Sequence, residues 1–448
     1  MPHANRGNDA MSAPSGQHIA DHNCRLFVLF RVLFNSRFYY PVLAVLFLDL
    51  GLTATQYTLL NFVWALVIVL AEVPSGVLAD RLGRRPLVLA AAVFMVAEML
   101  VLAAAPQNGG LVLFLFCLLN RVLSGLAEAM ASGADESLAF DALADEGREH
   151  EWPQVLARVM QWKAIGMVVA MLIGSAVYDP SLLSDLAASA GLALTFDQAT
   201  TLRFPIYLNL LTALGVLIVC LRMQEPAHRT GAAIPTTRQA VESMLDAGRW
   251  IARSPIALFV IIGGLLIDSV LRVFMTFGSA YYRMIDLPEA SFGIIGATMA
   301  GIGIVVAPMA RRLVTTGSML RNYGALAALA VLGLAGVALG IPLWGVLFAL
   351  PLSAAMAAVG FAVSHYLNAA VDSRRRATVL SFKGLAFNLG YGFVSLLFAL
   401  ALRAYRDTGS MGDGLAGALT LLPLWLVFTV LVMALLFRRH RAQLLQRN

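Results

Sequence analysis

The sequence is poor in charged residues. Only 13% of its 448 residues are Asp, Glu, Lys or Arg, whereas 59% are apolar or aromatic and the mean hydropathy is +0.78. A soluble globular domain carries roughly 25% charged residues. The composition therefore excludes an ordinary soluble protein and indicates an integral membrane protein.

Several chemical signatures are also missing. The three cysteines, Cys24, Cys117 and Cys220, are too scattered to predict disulfides, and the seven histidines form no cluster that predicts a metal site. The sequence has no glycine-rich ATP-binding pattern, and no combination of nucleophile, base and orienting residue stands out. We therefore expect no enzyme, no metal and no cofactor.

Apolar runs account for most of the chain. A membrane-spanning helix needs about 20 mainly apolar residues, and about twelve segments qualify. We therefore predict an all-α integral membrane protein with twelve transmembrane helices. The predicted spans are Leu26–Leu48, Tyr57–Ala79, Leu87–Ala105, Leu111–Ala134, Val155–Tyr178 and Phe204–Leu221, followed by Ile256–Ala280, Phe292–Ala310, Ala325–Gly340, Leu343–Leu367, Ala377–Leu402 and Leu415–Phe437.

Polar segments divide the chain. Residues 223–254 contain two prolines, several arginines and an amphipathic stretch, which is typical of a linker between residues 25–222 and residues 255–438. Residues 1–24 and 439–448 are expected to be tails, the first of them disordered. Ala79–Leu82 and Ala310–Leu313 occupy matching positions in the two halves, as diverged repeats would.

Basic residues indicate the orientation. Most lie in the tails, the linker and alternate loops on one side of the membrane, whereas Arg203, Arg283, Arg403 and Arg406 fall on the other. Because Lys and Arg are retained on the cytoplasmic side, both termini should be cytoplasmic in an inner (plasma) membrane. This topology and anionic lipid headgroups account for the net charge of +6 without a nucleic-acid partner.

A charged hairpin separates the second and third spans. The stretch from Gly76 to Arg85 reads GVLADRLGRR and places Asp80 at the carboxyl end of a span, where the helix dipole repels a carboxylate. Neighbouring arginines can compensate this charge. The amino terminus of another helix, such as the one predicted to begin near Ser373, can do so as well.

This hairpin resembles the loop between the second and third helices of the major facilitator superfamily, whose pattern is roughly Gly-x-x-x-Asp-Arg-x-Gly-Arg-Arg. The resemblance implies two six-helix bundles around a central cavity, with a latch that joins them on the cytoplasmic side. The alternative is that the arginines only fix the topology. The predicted latch residues are Glu72, Gly76, Asp80, Arg81, Gly83, Arg84 and Arg85.

The fourth span carries Arg121, Gly125 and Glu128 on one helical face. It is similar to the superfamily's fourth-helix motif, Arg-x-x-x-Gly, and this resemblance implies a role for Arg121 in proton coupling or substrate orientation. The alternative is that Arg121 only holds neighbouring helices together. The fifth span lacks the Gly-Pro pair that proton-driven exporters of the superfamily often carry.

Ionisable groups inside a membrane are costly unless they pair, snorkel or face water. Asp268 and Arg272, four residues apart, are expected to form either a static ion pair or a cavity site at which Asp268 exchanges a proton. We expect Arg37 to meet an anionic substrate or pair with Glu128, Lys383 to line the cavity or pack, and Arg31 and Lys163 to snorkel. The candidates for proton coupling or the substrate cavity are thus Arg37, Arg121, Glu128, Asp268, Arg272 and Lys383.

The expected function is secondary active transport of a small molecule, as proton-coupled efflux by alternating access, with Asp268 or Glu128 carrying the proton. Two alternatives stay open. One is uptake or exchange of an organic anion or other small metabolite, suggested by the number of basic residues within the spans; the other is a membrane sensor or scaffold that transports nothing. The expected partners are a small-molecule substrate, protons and the lipid bilayer, and the chain is expected to be a monomer.

Overall fold

The structure is a computed structural model that describes residues 17–226, 236–407 and 414–445. Helices dominate these residues, and none of them belongs to a β-strand. Eleven helical segments in this part of the chain are long and apolar enough to cross a membrane. Two shorter helices at its beginning make a further crossing, so the predicted all-α fold with twelve crossings is confirmed.

The first half of the chain supplies six crossings, and their connections add two short helices, α8 and α9. The first crossing consists of two helices, α1 and α2, and the fourth continues beyond α5 as α6. The helices are α1 (Gln17–Asn35), α2 (Leu43–Asp49), α3 (Ala54–Leu82), α4 (Arg84–Ala104), α5 (Leu111–Ala131), α6 (Ala134–Asp145), α7 (Trp152–Tyr178), α8 (Pro180–Ser189), α9 (Gln198–Thr201) and α10 (Phe204–Arg222).

A linker helix, α11, precedes the six crossings of the second half. Thr236 caps α11 and Ser254 caps α12, each by accepting a hydrogen bond from a backbone N–H of the first turn. The helices are α11 (Thr237–Arg253), α12 (Pro255–Thr276), α13 (Gly278–Met284), α14 (Ser291–Thr316), α15 (Met319–Ala338), α16 (Ala349–Ala370), α17 (Ser373–Asp407), α18 (Leu415–Leu436) and α19 (Arg441–Leu444).

The bundle has two ends, which we call the linker side and the opposite side. The linker side carries α11, the start of α1, the hairpin between α3 and α4, and the end of α18. The opposite side carries the connections that follow α2, α4, α7, α13, α15 and α17. Within the first half, α4 packs on α5 and α10, whereas α12 packs on α16 and α17 in the second half.

The two halves meet along two helix pairs, α3 with α17 and α7 with α14. The second pair approaches closely near the opposite side because Gly293 has no side chain. A Cβ at Gly293 would lie 2.2 Å from the backbone oxygen of Met171. Farther along α14, Val305 and Met309 are 66% and 65% exposed. The contact of α7 with α14 therefore joins the two halves near the opposite side, whereas residues in the linker-side part of α14 are exposed.

The first crossing is broken, which the predicted single span Leu26–Leu48 did not anticipate. Residues 36–39 are not helical, and a 3-10 turn at Tyr40–Val42 follows them. Pro41 explains the break, since it has no N–H to donate and its ring would clash with the carbonyl of Arg37 in a continuous helix. At the end of α1, both the backbone N–H and the hydroxyl of Ser36 donate to the backbone oxygen of Val32.

Arg37, within this break, is buried and points toward the third crossing. Its guanidinium lies 3.4 Å from Glu98, which is fully buried, and donates to the backbone oxygen of Phe34 at 3.0 Å. Tyr39 donates its hydroxyl to the other oxygen of Glu98 at 3.1 Å. Of the two predicted partners of Arg37, an anionic substrate or Glu128, the second is not its ion-pair partner in the structure: Arg37 pairs with Glu98, and Glu128 lies only within electrostatic range.

A charge cluster on the linker side holds the beginning of α1. Arg148 lies between α6 and α7 and donates to Asp21, Glu146 and Glu151. These hydrogen bonds, that to Glu151 above all, raise the pKa of Arg148. Asn23 exchanges two hydrogen bonds with the backbone of Gln224, which also fixes the start of the linker to the first half.

We expect Glu98→Ala to destabilise the fold strongly. It leaves the Arg37 charge buried without its carboxylate, a change that costs about 3 to 5 kcal/mol. Thermal unfolding of the purified protein measures the loss, and Glu149→Ala, at an exposed acidic residue, is the control. Replacing both Arg37 and Glu98 by methionine should restore part of the stability, since no buried charge then remains. Equal melting temperatures for Glu98→Ala and the control would contradict this account.

Candidate functional site

A central cavity of about 550 Å³ lies between the helices on the linker side. It extends from Tyr40, Trp64 and Asn388 near the middle of the bundle to Gly133 and Glu136 at the junction of α5 and α6. Helices of the first half form most of its wall, and α17 contributes from the second half. A cavity of this size accommodates a small organic molecule.

The wall of this cavity is acidic. Its carboxylates are Glu72 on α3, Glu128 on α5, and Asp135 and Glu136 on α6. Its one basic residue among those described is Arg31, whose guanidinium lies 2.6 Å from Asp135 and 3.7 Å from Glu136. Arg31 was expected to snorkel, and it pairs with these carboxylates.

Glu72 and Glu128 have no hydrogen-bond or salt-bridge partner for their carboxylates in the described part of the chain. Glu72, predicted as a latch residue, lines the cavity and not the charged hairpin. Glu128 lies one turn from Ser132, near the linker-side end of α5. Arg37, Arg31 and Lys163 act on Glu128 only from beyond salt-bridge distance. Two carboxylates that face a cavity without a direct ion pair can bind protons or a cationic group from solution.

Arg121, two turns from Glu128 on α5, is 4% exposed and stacks on an aromatic ring. Its guanidinium carbon lies 4.6 Å from the ring centroid of Phe47 on α2. Its Nε and one Nη have no hydrogen-bond partner among the described residues. Arg121 thus links the fourth crossing to the first by a cation–π contact, and it is outside the cavity wall.

Asp268 and Arg272 on α12 form the predicted ion pair, with 2.7 Å between the carboxylate and the guanidinium. Arg272 also donates to the side-chain oxygen of Asn388 on α17 at 3.0 Å. Asn388 lines the cavity, so this pair lies directly behind its wall. Lys383, one turn before Phe387 on α17, holds its ammonium 5.6 Å from the centroid of that ring.

The charged hairpin forms contacts within the first half of the chain. Arg84 lies 3.6 Å from Asp80 and 3.6 Å from Asp141 on α6. The carboxylate of Glu225, at the start of the linker, accepts hydrogen bonds from the backbone N–H groups of Arg84 and Arg85. Gly83 has a positive φ of 106°, which a side chain would strain, and so permits the turn.

The described contacts of Asp80 do not include the beginning of α17, which was the predicted latch partner. The side chains of Ser373 and Arg374 lie outside the described residues. Gly76 has no heavy atom within 4 Å of a Cβ built upon it, so no other helix packs against the face of α3 that Gly76 occupies. In this conformation the hairpin is therefore tied to α6 and the linker.

Sequence reasoning missed a cluster of charged and polar residues that closes the opposite side. Arg283 on α13 donates to both carboxylate oxygens of Asp49 on α2, at 2.6 and 2.7 Å, and also pairs with Glu289. The hydroxyl of Tyr178 on α7 donates to Asp49 at 2.5 Å. Burial raises the pKa of Glu289, against the opposing effect of Arg283. We call Asp49, Tyr178, Arg283 and Glu289 the opposite gate.

Hydrogen bonds to backbone groups reinforce the opposite gate. The carboxylate of Asp179 accepts from the N–H of Ala290, and Ser175 donates its hydroxyl to the backbone oxygen of Ala290. Closer to the middle, Ser279 accepts from the N–H of Ala44. Each contact joins the first half to the second on the opposite side of the bundle.

No signal in the sequence singled out the opposite gate. Asp49 and Arg283 are 234 residues apart, and each stands at the end of an apolar run where a single charge is unremarkable. Glu98 was likewise left without a partner. Elsewhere, no group of three or more His, Cys, Asp or Glu side chains in the described ranges is arranged to hold a metal ion.

Known transporters share this architecture. A variant of the nucleoside transporter NupG superposes with a TM-score of 0.71 at 16% identity, covering 94% of this chain and 100% of that one. A bacterial homolog of the human lysosomal transporter Spinster, in an inward-facing and occupied conformation, superposes with a TM-score of 0.66 at 16% identity, covering 96% of this chain and 98% of that one. A D-xylose-proton symporter superposes with a TM-score of 0.65 at 16% identity, covering 93% of this chain and 97% of that one.

Two sequence comparisons gave different results. No curated protein sequence matches the chain. The profile of the Major Facilitator Superfamily, in contrast, matches residues 26–395, which include most of both halves. The chain therefore belongs to the major facilitator superfamily of multi-pass membrane transporters for small molecules.

Proposed function

We propose that this protein exports a small molecule in exchange for protons by alternating access, with the linker side in the cytoplasm of a cell bounded by its inner membrane. The observation that carries the proposal is a cavity that opens on the linker side and is closed by the opposite gate. A transporter at rest in an inward-facing state has this asymmetry.

The contacts that close the opposite side can break and form again. They consist of ion pairs, hydrogen bonds and a glycine-mediated helix contact, and the Arg283 side chain is 37% exposed, so water can replace its partners. An ion pair in such a position contributes about 1 kcal/mol or less. The energy needed to open this gate is therefore within what substrate or proton binding supplies.

Glu128 is the better of the two proposed proton carriers. Asp268 is held by Arg272, which stabilises its charged form, whereas Glu128 faces the cavity with no bound cation. If a solute and a proton compete for one carboxylate, each leaves when the other binds, and the two move in opposite directions. The charges of Arg121 and of the Asp268–Arg272 pair would then adjust the proton affinity of Glu128.

The charges on the two ends support the orientation. Exposed arginines on the linker side include Arg81, Arg311, Arg312, Arg438 and Arg439, as the retention of basic residues in the cytoplasm favours. The hairpin at Asp80 would act as the cytoplasmic latch after the linker side closes, exchanging its contact with Arg84 for the amino terminus of α17. The same residue would be without function in a scaffold that does not cycle.

The cavity gives less support to transport of an organic anion. Of the cations that motivated this alternative, Arg37 is bound to Glu98, Arg272 to Asp268, and Arg31 to Asp135. The proton coupling in the name of the D-xylose-proton symporter belongs to that protein, and at 16% identity it shows only that the fold is compatible with such coupling.

We expect Glu128→Gln to abolish substrate-driven proton movement in inside-out vesicles. Exchange of substrate for substrate should remain, because the variant can still change conformation with substrate bound but has no carboxylate at this position to carry a proton. Asp268→Asn should slow both processes, since it leaves Arg272 without its carboxylate. Glu149→Gln, outside the cavity, is the control. Loss of exchange together with proton movement in Glu128→Gln would rule out its role as carrier.

Asp49→Asn should increase the fraction of molecules open on the opposite side about fivefold, the factor that corresponds to 1 kcal/mol. The reporter is a cysteine in place of Ala280, which is 6% exposed one turn below Arg283, in a chain whose three native cysteines are replaced by alanine. A membrane-impermeant maleimide added from the opposite side measures its accessibility. Asp286→Asn, an exposed neighbour, is the control, and identical labelling rates would refute the gate.

Asp80→Asn should reduce the transport rate about two- to fivefold without changing equilibrium binding of substrate, since the proposed latch acts only after the cavity has closed. Transport by vesicles and binding by detergent-purified protein are measured on the same preparation. A variant that transports at the native rate would favour the reading in which the hairpin only fixes topology, or the scaffold in which no solute moves.

A further inference from the structure

The chemistry of the cavity wall restricts what it can bind. Its four carboxylates, Glu72, Glu128, Asp135 and Glu136, face one guanidinium, that of Arg31, which already pairs with two of them. When all these groups are ionised, the wall carries three negative charges more than positive ones. An anion placed there would be repelled, and a neutral solute would leave Glu72 and Glu128 without a counter-charge.

The same wall offers aromatic surface. Tyr40, which follows the break in the first crossing, is 41% exposed, and it lines the cavity together with Trp64 on α3, near the middle of the bundle. The indole nitrogen of Trp64 is buried with no hydrogen-bond partner among the described residues. Phe30 and Phe34 on α1 border the cavity as well, with exposures of 0% and 5%. Aromatic faces bind organic cations by cation–π attraction, and they also bind the apolar body of an amphipathic molecule.

The break in the first crossing creates this combination. A continuous helix would carry Arg37 on the wall, whereas in the structure Glu98 holds its guanidinium on the far side, at 2% exposure. Its charge is thereby neutralised behind the wall by Glu98, although it stays within electrostatic range of Glu128, and Tyr40 lines the cavity. Arg272 is likewise occupied by Asp268 and Asn388 behind the wall.

We propose that the transported solute is an organic cation with an aromatic or apolar body, bound between Glu72 and Glu128 with its ring against Tyr40 and Trp64. This inference rests on the proposed function, in that the cavity is taken as the transport site. It adds the charge of the solute and the residues that select it. It also explains the coupling, because a cationic group and a proton are alternatives at the same carboxylate.

Three ligands with one biphenyl-like frame test the charge directly: 1-methyl-4-phenylpyridinium, the neutral 4-phenylpyridine and the anionic 4-phenylbenzoate. Binding to the purified full-length protein is measured by calorimetry at pH 8 and low salt, where 4-phenylpyridine is uncharged. The pyridinium should bind at least about tenfold more tightly than 4-phenylpyridine, since a carboxylate within 6 Å attracts it at an effective dielectric near 20. The benzoate should bind most weakly.

Variants show whether the carboxylates are responsible. Glu72→Gln and Glu128→Gln should each lower the affinity for the pyridinium about tenfold and leave that for 4-phenylpyridine unchanged, whereas Glu149→Gln should change neither. Size-exclusion profiles and melting temperatures confirm that each variant is folded. Binding of the benzoate as tight as that of the pyridinium, absence of pyridinium binding to the folded native protein, or unchanged affinity in both cavity variants would overturn the proposal.

This experiment separates the two proposals. Selective binding of the cation, with no movement of solute or protons in vesicles, would leave the ligand class standing and refute the transport cycle. Proton-coupled movement of other solutes, with no binding of the cation, would retain the cycle and refute the ligand class.

Discussion

The cost of placing charge inside an apolar bundle governs how this protein is organised. Each charged side chain there must pair, reach water or, as Arg121 does with Phe47, lie against an aromatic ring. Arg37 pairs with Glu98, Arg272 with Asp268, and Arg31 with Asp135. Glu72 and Glu128 have no such protein partner and face the cavity. The distribution of charge thus separates residues that hold the fold from residues available to a solute, and it leaves the cavity acidic.

The same constraint shapes the two ends of the bundle. On the opposite side, Asp49 and Arg283 bring opposite charges from the two halves together, and the close approach of α7 to Gly293 excludes a path beside them. On the linker side, the corresponding charges are kept within the first half, where Arg84 binds Asp80 and Asp141. This asymmetry between the two ends is what the proposed inward-facing state of the transporter requires.

The fold was predictable because its signals are local. Apolar runs indicated twelve crossings, the hairpin at Asp80 indicated the family, and the spacing of Asp268 and Arg272 predicted their pair because residues four apart share a helical face. The missed features depend on distant parts of the chain. Pro41 could have suggested the break in the first span, but nothing local shows that Arg37 would meet Glu98, or that Asp49 would meet Arg283. Pairings between helices become visible only when the bundle is assembled.

The central claim is that the two ends of the bundle open in alternation. Distances measured between spin labels by pulsed electron–electron double resonance test it most directly. One pair of labels replaces Leu111 and Leu339 on the opposite side, and another replaces Leu82 and Thr315 on the linker side; all four residues are exposed. On replacing Arg283 by glutamine, the opposite-side distance should lengthen and the linker-side distance should shorten. Unchanged distances, or lengthening at both ends, would contradict alternating access in this protein.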